Sequence, residues 1–136
     1  MDKLKSQEHH EEKREYPRIT MNSPVNVLYK LHQLDARIHD ISPDGLQIRA
    51  DCELSKKINP ENEDFTEANA PLLDITFCLK LFEMEMRINA LCKLYYSNPL
   101  PEAENQDVAY GLKFINFEGD GSSQLEAFIT QEMTVF

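Results

Sequence analysis

Apolar and polar residues alternate with a period of two along much of this chain, which predicts β-strands with one buried face. Each of the first three runs places a set of alternate residues on one face. The sets are Val25, Val27, Tyr29 and Leu31 in the first run, Ala36, Ile38 and Asp40 in the second, and Leu46, Ile48 and Ala50 in the third. Between the second and third runs lies Ser42-Pro43-Asp44-Gly45. Pro favours the second position of a turn and Gly supplies a positive φ, so this segment predicts a hairpin connection.

A polar stretch over residues 55–71 with two prolines predicts a surface loop or insertion. After it, the apolar positions are odd-numbered from 73 to 81 and even-numbered from 84 to 96. Such a change of parity near Phe82 and Glu83 predicts two strands joined by a tight reversal. The join contains neither Gly nor Asn, so its turn type stays open.

The last strand pattern covers residues 108–116, and Gly111 within it indicates a bulge or a close backbone approach. A helix follows, with Ser123 and Glu126 as a candidate capping box. Its apolar face holds Leu125, Phe128, Ile129 and Met133. About six consecutive strands and one terminal helix favour an all-β fold, an antiparallel barrel closed at one end by the helix.

Length and charge narrow the class of protein. The chain has 136 residues and a formal net charge of −10, which fits one acidic domain. General nucleic-acid binders and proteins that dock on anionic membranes are usually basic, so we expect neither partner. No apolar run is long enough to span a bilayer, and the first residues lack a secretion signal, so the sequence predicts a cytoplasmic protein.

Signatures of catalysis or metal binding are scarce. Cys52, Cys78 and Cys92 form no CxxC pair, which indicates small core fillers in a reducing compartment. His9 and His10 are adjacent in sequence, and neighbours on a helix do not share a face, so they make a poor metal site. No nucleophile or phosphate-loop motif is present. We therefore expect no catalytic residues, no metal and no cofactor.

The cations are unevenly distributed. Residues 1–18 contain five bases and five acids, so the whole acidic excess lies in the rest of the chain. Lys13, Arg14 and Arg18 stand within six residues just before the first strand pattern. Composition alone favours a solvated charged arm, although these three cations could also serve a small anion.

Two short motifs favour the second interpretation. Arg14 and Arg18 form an RxxxR, and the segment from Asp40 to Gly45 forms a DxSxxG about 20 residues later. In this order and with this strand pattern the chain resembles the PilZ domain family, bacterial receptors for cyclic di-GMP, over roughly residues 12–133. The resemblance implies a six-stranded split barrel with a C-terminal helix, in which residues 1–11 are a flexible arm and residues 12–136 the domain.

The resemblance also implies roles for individual residues. Arg14 and Arg18 would bind the guanines or phosphates through bidentate guanidinium contacts. Asp40 would accept from a guanine edge, Ser42 would hydrogen-bond nearby, and Gly45 would let the base approach. Two further candidates are Lys13, where many members carry Arg, and Gly111 in the late strand pattern.

The leading hypothesis is therefore a non-enzymatic receptor in which the segment that holds Arg14 and Arg18 closes over cyclic di-GMP. This receptor would regulate a downstream protein partner in motility, adhesion or biofilm control. A PilZ-like adaptor that acts without nucleotide is the main alternative. An enzyme acting on a nucleotide and a barrel that binds single-stranded nucleic acid rank below both, the latter because the surface is acidic.

Overall fold

Six antiparallel strands close into a barrel in the order β1-β2-β3-β6-β5-β4. The computed structural model describes residues 18–58, 66, 69–100 and 107–134. The elements in chain order are β1 (Ile19–Tyr29), β2 (His32–Ser42), β3 (Gly45–Ala50), α1 (Glu53–Ile58), β4 (Leu72–Leu81), β5 (Met84–Pro99), β6 (Val108–Phe117) and α2 (Gly121–Met133). The predicted fold class, a six-stranded antiparallel barrel with a C-terminal helix, is confirmed.

The change of parity between β4 and β5 is the best-predicted local feature. All five odd-numbered apolar residues of β4 are buried, and β5 buries its even-numbered residues from Ile88 to Leu94. Leu81 pairs with Met84 across a two-residue turn. Phe82 and Glu83 both adopt positive φ, 51° and 71°, as a type I′ turn requires. Met84, at the tip, is 61% exposed.

The prediction for the first strand was wrong at its end. β1 finishes at Tyr29, and Leu31 lies 96% exposed in the turn to β2 instead of facing the core. Lys30 in this turn has a φ of 55°. The strand also begins earlier than its clean alternation suggests, at Ile19.

A short helix occupies the start of the predicted loop. α1 buries Leu54 and Ile58. The buried phenol of Tyr110 on β6 forms hydrogen bonds with the first turn of α1 and with Asp51 just before the helix. The Tyr110 hydroxyl accepts from the Ser55 backbone N–H at 3.0 Å and donates to the Asp51 carbonyl at 3.0 Å. Burial raises the pKa of Tyr110, and the bonds from Ser55 offset part of that rise. The phenol therefore stays protonated as a structural anchor.

The C-terminal helix packs on β4 and β5 through Leu125, Phe128 and Ile129. Its predicted capping box was wrong, because α2 begins at Gly121 and Ser123 is already within the first turn. Asp120 precedes the helix and makes no side-chain cap bond. Met133, on the predicted apolar face, is 46% exposed.

Of the three cysteines predicted as core fillers, Cys92 confirms the prediction and the exposed Cys78 contradicts it. All are free thiols, with Cys92 buried and Cys78 exposed. Burial, and to a lesser degree the Asp74 carboxylate, raise the pKa of Cys92 to about 12. Thiolates are the reactive and metal-binding form, so Cys92 is an inert core filler.

Candidate functional site

Arg18 and Asp40, drawn from the two sequence motifs, meet in an ion pair. Arg18 Nη2 lies 2.6 Å and Nε 3.0 Å from Asp40 Oδ1. The antiparallel pairing of β1 with β2 brings them together, since Thr20 is the register partner of Asp40. The two side chains are 22% and 18% exposed. Both bonds end on Oδ1, so neither occupies Oδ2 of the carboxylate.

A β-bulge at His39 sets the direction of Asp40. Ile38 pairs with Ile48 and Asp40 with Gln47, which leaves His39 as the additional residue. The sequence pattern placed Asp40 on the same face as Ala36 and Ile38, but the bulge moves it outward and Ile41 takes the buried position instead. Bulges often re-aim a side chain next to a functional site.

The turn that follows is held by its own hydrogen bonds. Ser42, 1% exposed, donates from Oγ to Asp44 Oδ1 at 2.6 Å and makes a longer 3.3 Å contact with the Gly45 carbonyl. The Asp44 carbonyl accepts from the Phe114 N–H at 2.9 Å. These two bonds from Ser42 shape the turn.

Gly45 is required for a close approach and not for a positive φ. A Cβ on Gly45 would lie 2.3 Å from the Leu112 carbonyl oxygen of β6, well inside van der Waals contact. No left-handed φ occurs at this glycine. The expectation that it supplies positive φ was thus wrong, and its role is to let β3 and β6 pair tightly beside Asp44.

One row of paired residues runs from Asp40 across the outside of the barrel. Asp40 pairs with Gln47, Gln47 with Gly111, and Gly111 with Tyr96. We call the outer surface along this row and beside the Ser42–Gly45 turn the motif face. A Cβ on Gly111 would lie 2.1 Å from the Tyr96 ring, so the close approach predicted for this glycine is that of an aromatic ring. Gln47 Nε2 donates to the Tyr96 hydroxyl at 2.8 Å.

A second bulge places another tyrosine on the motif face. Leu94 pairs with Leu112 and Tyr96 with Gly111, which leaves Tyr95 as the additional residue of β5. The two tyrosine rings meet edge to face, with centroids 5.0 Å apart. Burial raises the pKa of Tyr95, and Tyr96, Asp44 and Asp40 add to the rise while the Arg18 guanidinium lowers it. Tyr95 is thus electrostatically coupled to both motifs.

The motifs border a cavity of about 300 Å³. Its lining is Arg18, Asp44, Gly45, Lys93, Tyr95, Leu112 and Lys113. The three cations exceed the one carboxylate, so the cavity favours an anion although the protein is strongly acidic. Sequence reasoning missed Lys93, Tyr95 and Lys113. Their odd positions already place them opposite the buried sets of β5 and β6, but only the strand register shows that they border Arg18.

The predicted arm over residues 1–11 lies outside the described residues. So do two of the predicted ligand residues, Lys13 and Arg14. The other five candidates lie in the described part of the chain. Arg18, Asp40, Gly45 and Gly111 are on or beside the motif face, and Ser42 is buried under the turn.

A larger cleft, of about 840 Å³, lies on the outside of β1, β2, β4 and β5. Its charged lining, Asp35, Arg37, Glu85 and Arg87, balances to zero, and Arg37 is already bonded to Asn22. This cleft lacks the cationic excess of the motif face, so size alone does not make it the better anion site.

Within the described ranges, His, Cys, Asp and Glu form no group of three that could hold a metal ion. Nor does any helix of that part of the chain combine the length and apolar character needed to cross a bilayer.

A family model described as the PilZ domain matches residues 12–131, and the chain belongs to this family. A search of curated proteins finds no significant match. Among solved structures, the Bacillus subtilis inhibitor of motility (MotI/DgrA) superposes with a TM-score of 0.64 and 15% identity, over 90% of this chain and 52% of that one.

Two further solved structures share the fold. The K. pneumonia MrkH–c-di-GMP complex gives a TM-score of 0.59 with 12% identity, over 88% of this chain and 52% of that one. Borreliella burgdorferi PlzA in complex with c-di-GMP gives 0.51 with 12% identity, over 98% and 57%. The chain spans about half the length of each of these proteins.

Proposed function

We propose that this PilZ protein is a non-enzymatic receptor for cyclic di-GMP and binds the nucleotide on the motif face. The observation that carries the proposal is the Arg18–Asp40 ion pair, held beside the Ser42–Gly45 turn on a PilZ barrel. Two structurally similar proteins were solved as complexes with this nucleotide.

The chemistry of the pair suits a guanine. Guanine presents N–H donors on its Watson–Crick edge and the acceptors O6 and N7 on its Hoogsteen edge. Asp40 Oδ2 can accept from the donor edge, while the Arg18 guanidinium, already oriented by Oδ1, offers its remaining N–H groups to O6, N7 or a phosphate. Adenine lacks the O6 acceptor and the same donors, so the arrangement selects guanine.

Arg14 and Lys13 would complete the site from the segment before β1. A ligand of micromolar affinity needs about 8 kcal/mol, and one good bidentate contact to guanine supplies roughly 1–3 kcal/mol. Arg18 and Asp40 alone therefore fall short, which supports roles for both residues of the RxxxR. Contacts from Arg14 and Lys13 to the bound nucleotide would then change the surface offered to a partner.

The regulated process belongs to the same proposal. We place the downstream partner of this receptor in motility, adhesion or biofilm control, as the family resemblance implies. The three free thiols fit a cytoplasmic protein. A partner captured equally with and without cyclic di-GMP would favour the nucleotide-independent adaptor instead.

Isothermal titration calorimetry tests the proposal with cyclic di-GMP as ligand and GTP as control. We expect the parent to bind cyclic di-GMP and Arg18→Ala to lose at least tenfold in affinity, because a charge-assisted contact to a base is worth roughly 1–3 kcal/mol. Arg14→Ala should lose a similar factor. Arg87→Ala, an exposed arginine on β5 outside the motif face, is the matched control and should bind like the parent.

Unchanged binding in both Arg14→Ala and Arg18→Ala would show that the site is elsewhere. No heat with the parent protein would contradict the receptor function itself. Ligand recovered intact after prolonged incubation is the result expected of a receptor, and conversion of the ligand would indicate an enzyme.

A further inference from the structure

Two lysines of the motif face stand directly opposite each other. Lys93 of β5 is the register partner of Lys113 of β6, and Lys113 is also paired with Gly45 of β3. Side chains at directly opposed antiparallel positions have Cβ atoms about 5 Å apart, and like charges there are destabilising. Both lysines line the cavity that Arg18 also lines. The pairing thus concentrates positive charge at one edge of the site.

The sequence motifs do not account for this second edge. Asp40 and Arg18 lie on the β1–β2 side of the Ser42–Gly45 turn. Lys113 and Lys93 lie across Gly45, on the β6–β5 side. Because Gly45 carries no side chain, nothing at that position separates the Arg18–Asp40 ion pair from the two lysines. A ligand that spans the turn would contact both sides.

Tyr95 stands beside the lysines as a positioned aromatic ring. It is the bulged residue of β5, two positions after Lys93, and it lines the same cavity at 52% exposure. Its neighbour Tyr96 supports it edge to face and is itself held by Gln47 and by contact with Gly111. A half-exposed aromatic ring with a fixed support is suited to stacking on a nucleobase.

We propose that Lys93, Lys113 and Tyr95 form a second half of the nucleotide site, in which the two ammonium groups bind a phosphodiester and the Tyr95 ring stacks on a guanine. This inference rests on the proposed function and adds to it the residues of β5 and β6 that would hold the part of the ligand that reaches from Asp40 across Gly45. A mononucleotide would reach only one half.

Two variants test the halves of this inference by calorimetry with cyclic di-GMP. Lys93→Ala/Lys113→Ala should weaken binding about tenfold or more, which is a change of about 1.4 kcal/mol. The affinity of this variant should also depend less on salt than that of the parent, since the removed charges are screened in the parent. The matched control is Lys56→Ala/Lys57→Ala on α1, where both lysines are exposed, and it should bind like the parent.

Tyr95→Ala should weaken binding about tenfold, whereas Tyr95→Phe, which keeps the ring, should stay within about twofold of the parent. Circular dichroism of each variant checks that the barrel is intact. Parent-like affinity in the double lysine variant, or equal losses in Tyr95→Phe and Tyr95→Ala, would overturn the inference. If Arg18→Ala abolishes binding while these variants do not weaken it, only the second half is refuted. A parent that does not bind at all refutes both the inference and the proposed function.

Discussion

Asp40 shows how the backbone around one side chain sets the direction of that side chain. Strict alternation would place it inward beside Ile38, where an unpaired carboxylate would be costly. The additional residue His39 reverses the alternation and turns Asp40 toward Arg18. The DxSxxG motif was sufficient to identify Asp40 as a candidate ligand residue. Its direction could not be predicted, because a bulge of one ordinary residue leaves no trace in composition.

The tyrosine titration tests the geometry of the site without any ligand. Burial raises the pKa of Tyr95 and the Arg18 guanidinium lowers it, so Arg18→Ala should raise that pKa further, because the neutral phenol is then favoured more strongly. Ultraviolet difference titration checks this, with Tyr95→Phe in both backgrounds to identify the Tyr95 signal. A Tyr95 transition at its ordinary pKa, or one that Arg18→Ala leaves unmoved, would contradict the placement of the two side chains.

At the scale of elements, the β4–β5 hairpin could be predicted from the change between odd-numbered and even-numbered apolar positions alone, since the buried set changes parity across a tight turn. Its conformation could not, because Phe82 and Glu83 are not residues that favour positive φ. The contact that holds the turn is distant in sequence. Gln131 of α2 accepts from the Phe82 N–H at 2.7 Å and donates to the Lys80 carbonyl at 3.0 Å.

This hairpin offers a stability prediction. Phe82→Asn/Glu83→Gly should raise the free energy of unfolding by about 1–2 kcal/mol, because left-handed backbone costs that much for ordinary residues and Asn-Gly suits a type I′ turn. Phe82 is 71% exposed, so little burial is lost, and its N–H remains available to Gln131. Thermal unfolding measures the change, expected as a rise of roughly 4 °C per kcal/mol. The control Glu83→Gln replaces the same turn residue by one that, like Glu, does not favour positive φ, so it should leave the unfolding midpoint unchanged. An equal or lower midpoint for the double variant would refute the strain.

Bulges explain most of what the sequence could not indicate about the site. The even-numbered apolar pattern from residue 84 to 96 predicted that Lys93 faces outward, and the structure shows Lys113 exposed as well. The pattern did not predict that they pair, because register between strands that are not fixed by a tight hairpin depends on the whole barrel. The bulge at Tyr95 shifts that register by one residue within β5.

At the scale of the whole molecule, charge and topology have separate consequences. The net charge of −10 disfavours long polyanions. The closed order β1-β2-β3-β6-β5-β4 nevertheless gathers Arg18, Lys93 and Lys113 around one cavity. A small dianion would therefore meet three cations at this cavity although the molecule as a whole is acidic. The barrel itself was predictable because six alternating runs with short reversals leave few ways to bury one face.

The central claim is that cyclic di-GMP binds on the motif face. Titration of the ¹⁵N-labelled protein with cyclic di-GMP, followed by amide chemical shifts, tests it directly. We predict the largest shifts at Arg18, Asp40, Gly45, Gly111 and Lys113, with little change at Asp35 and Arg87 in the larger cleft. Shifts concentrated at Asp35 and Arg87, or no shifts at ligand concentrations well above micromolar, would contradict the account.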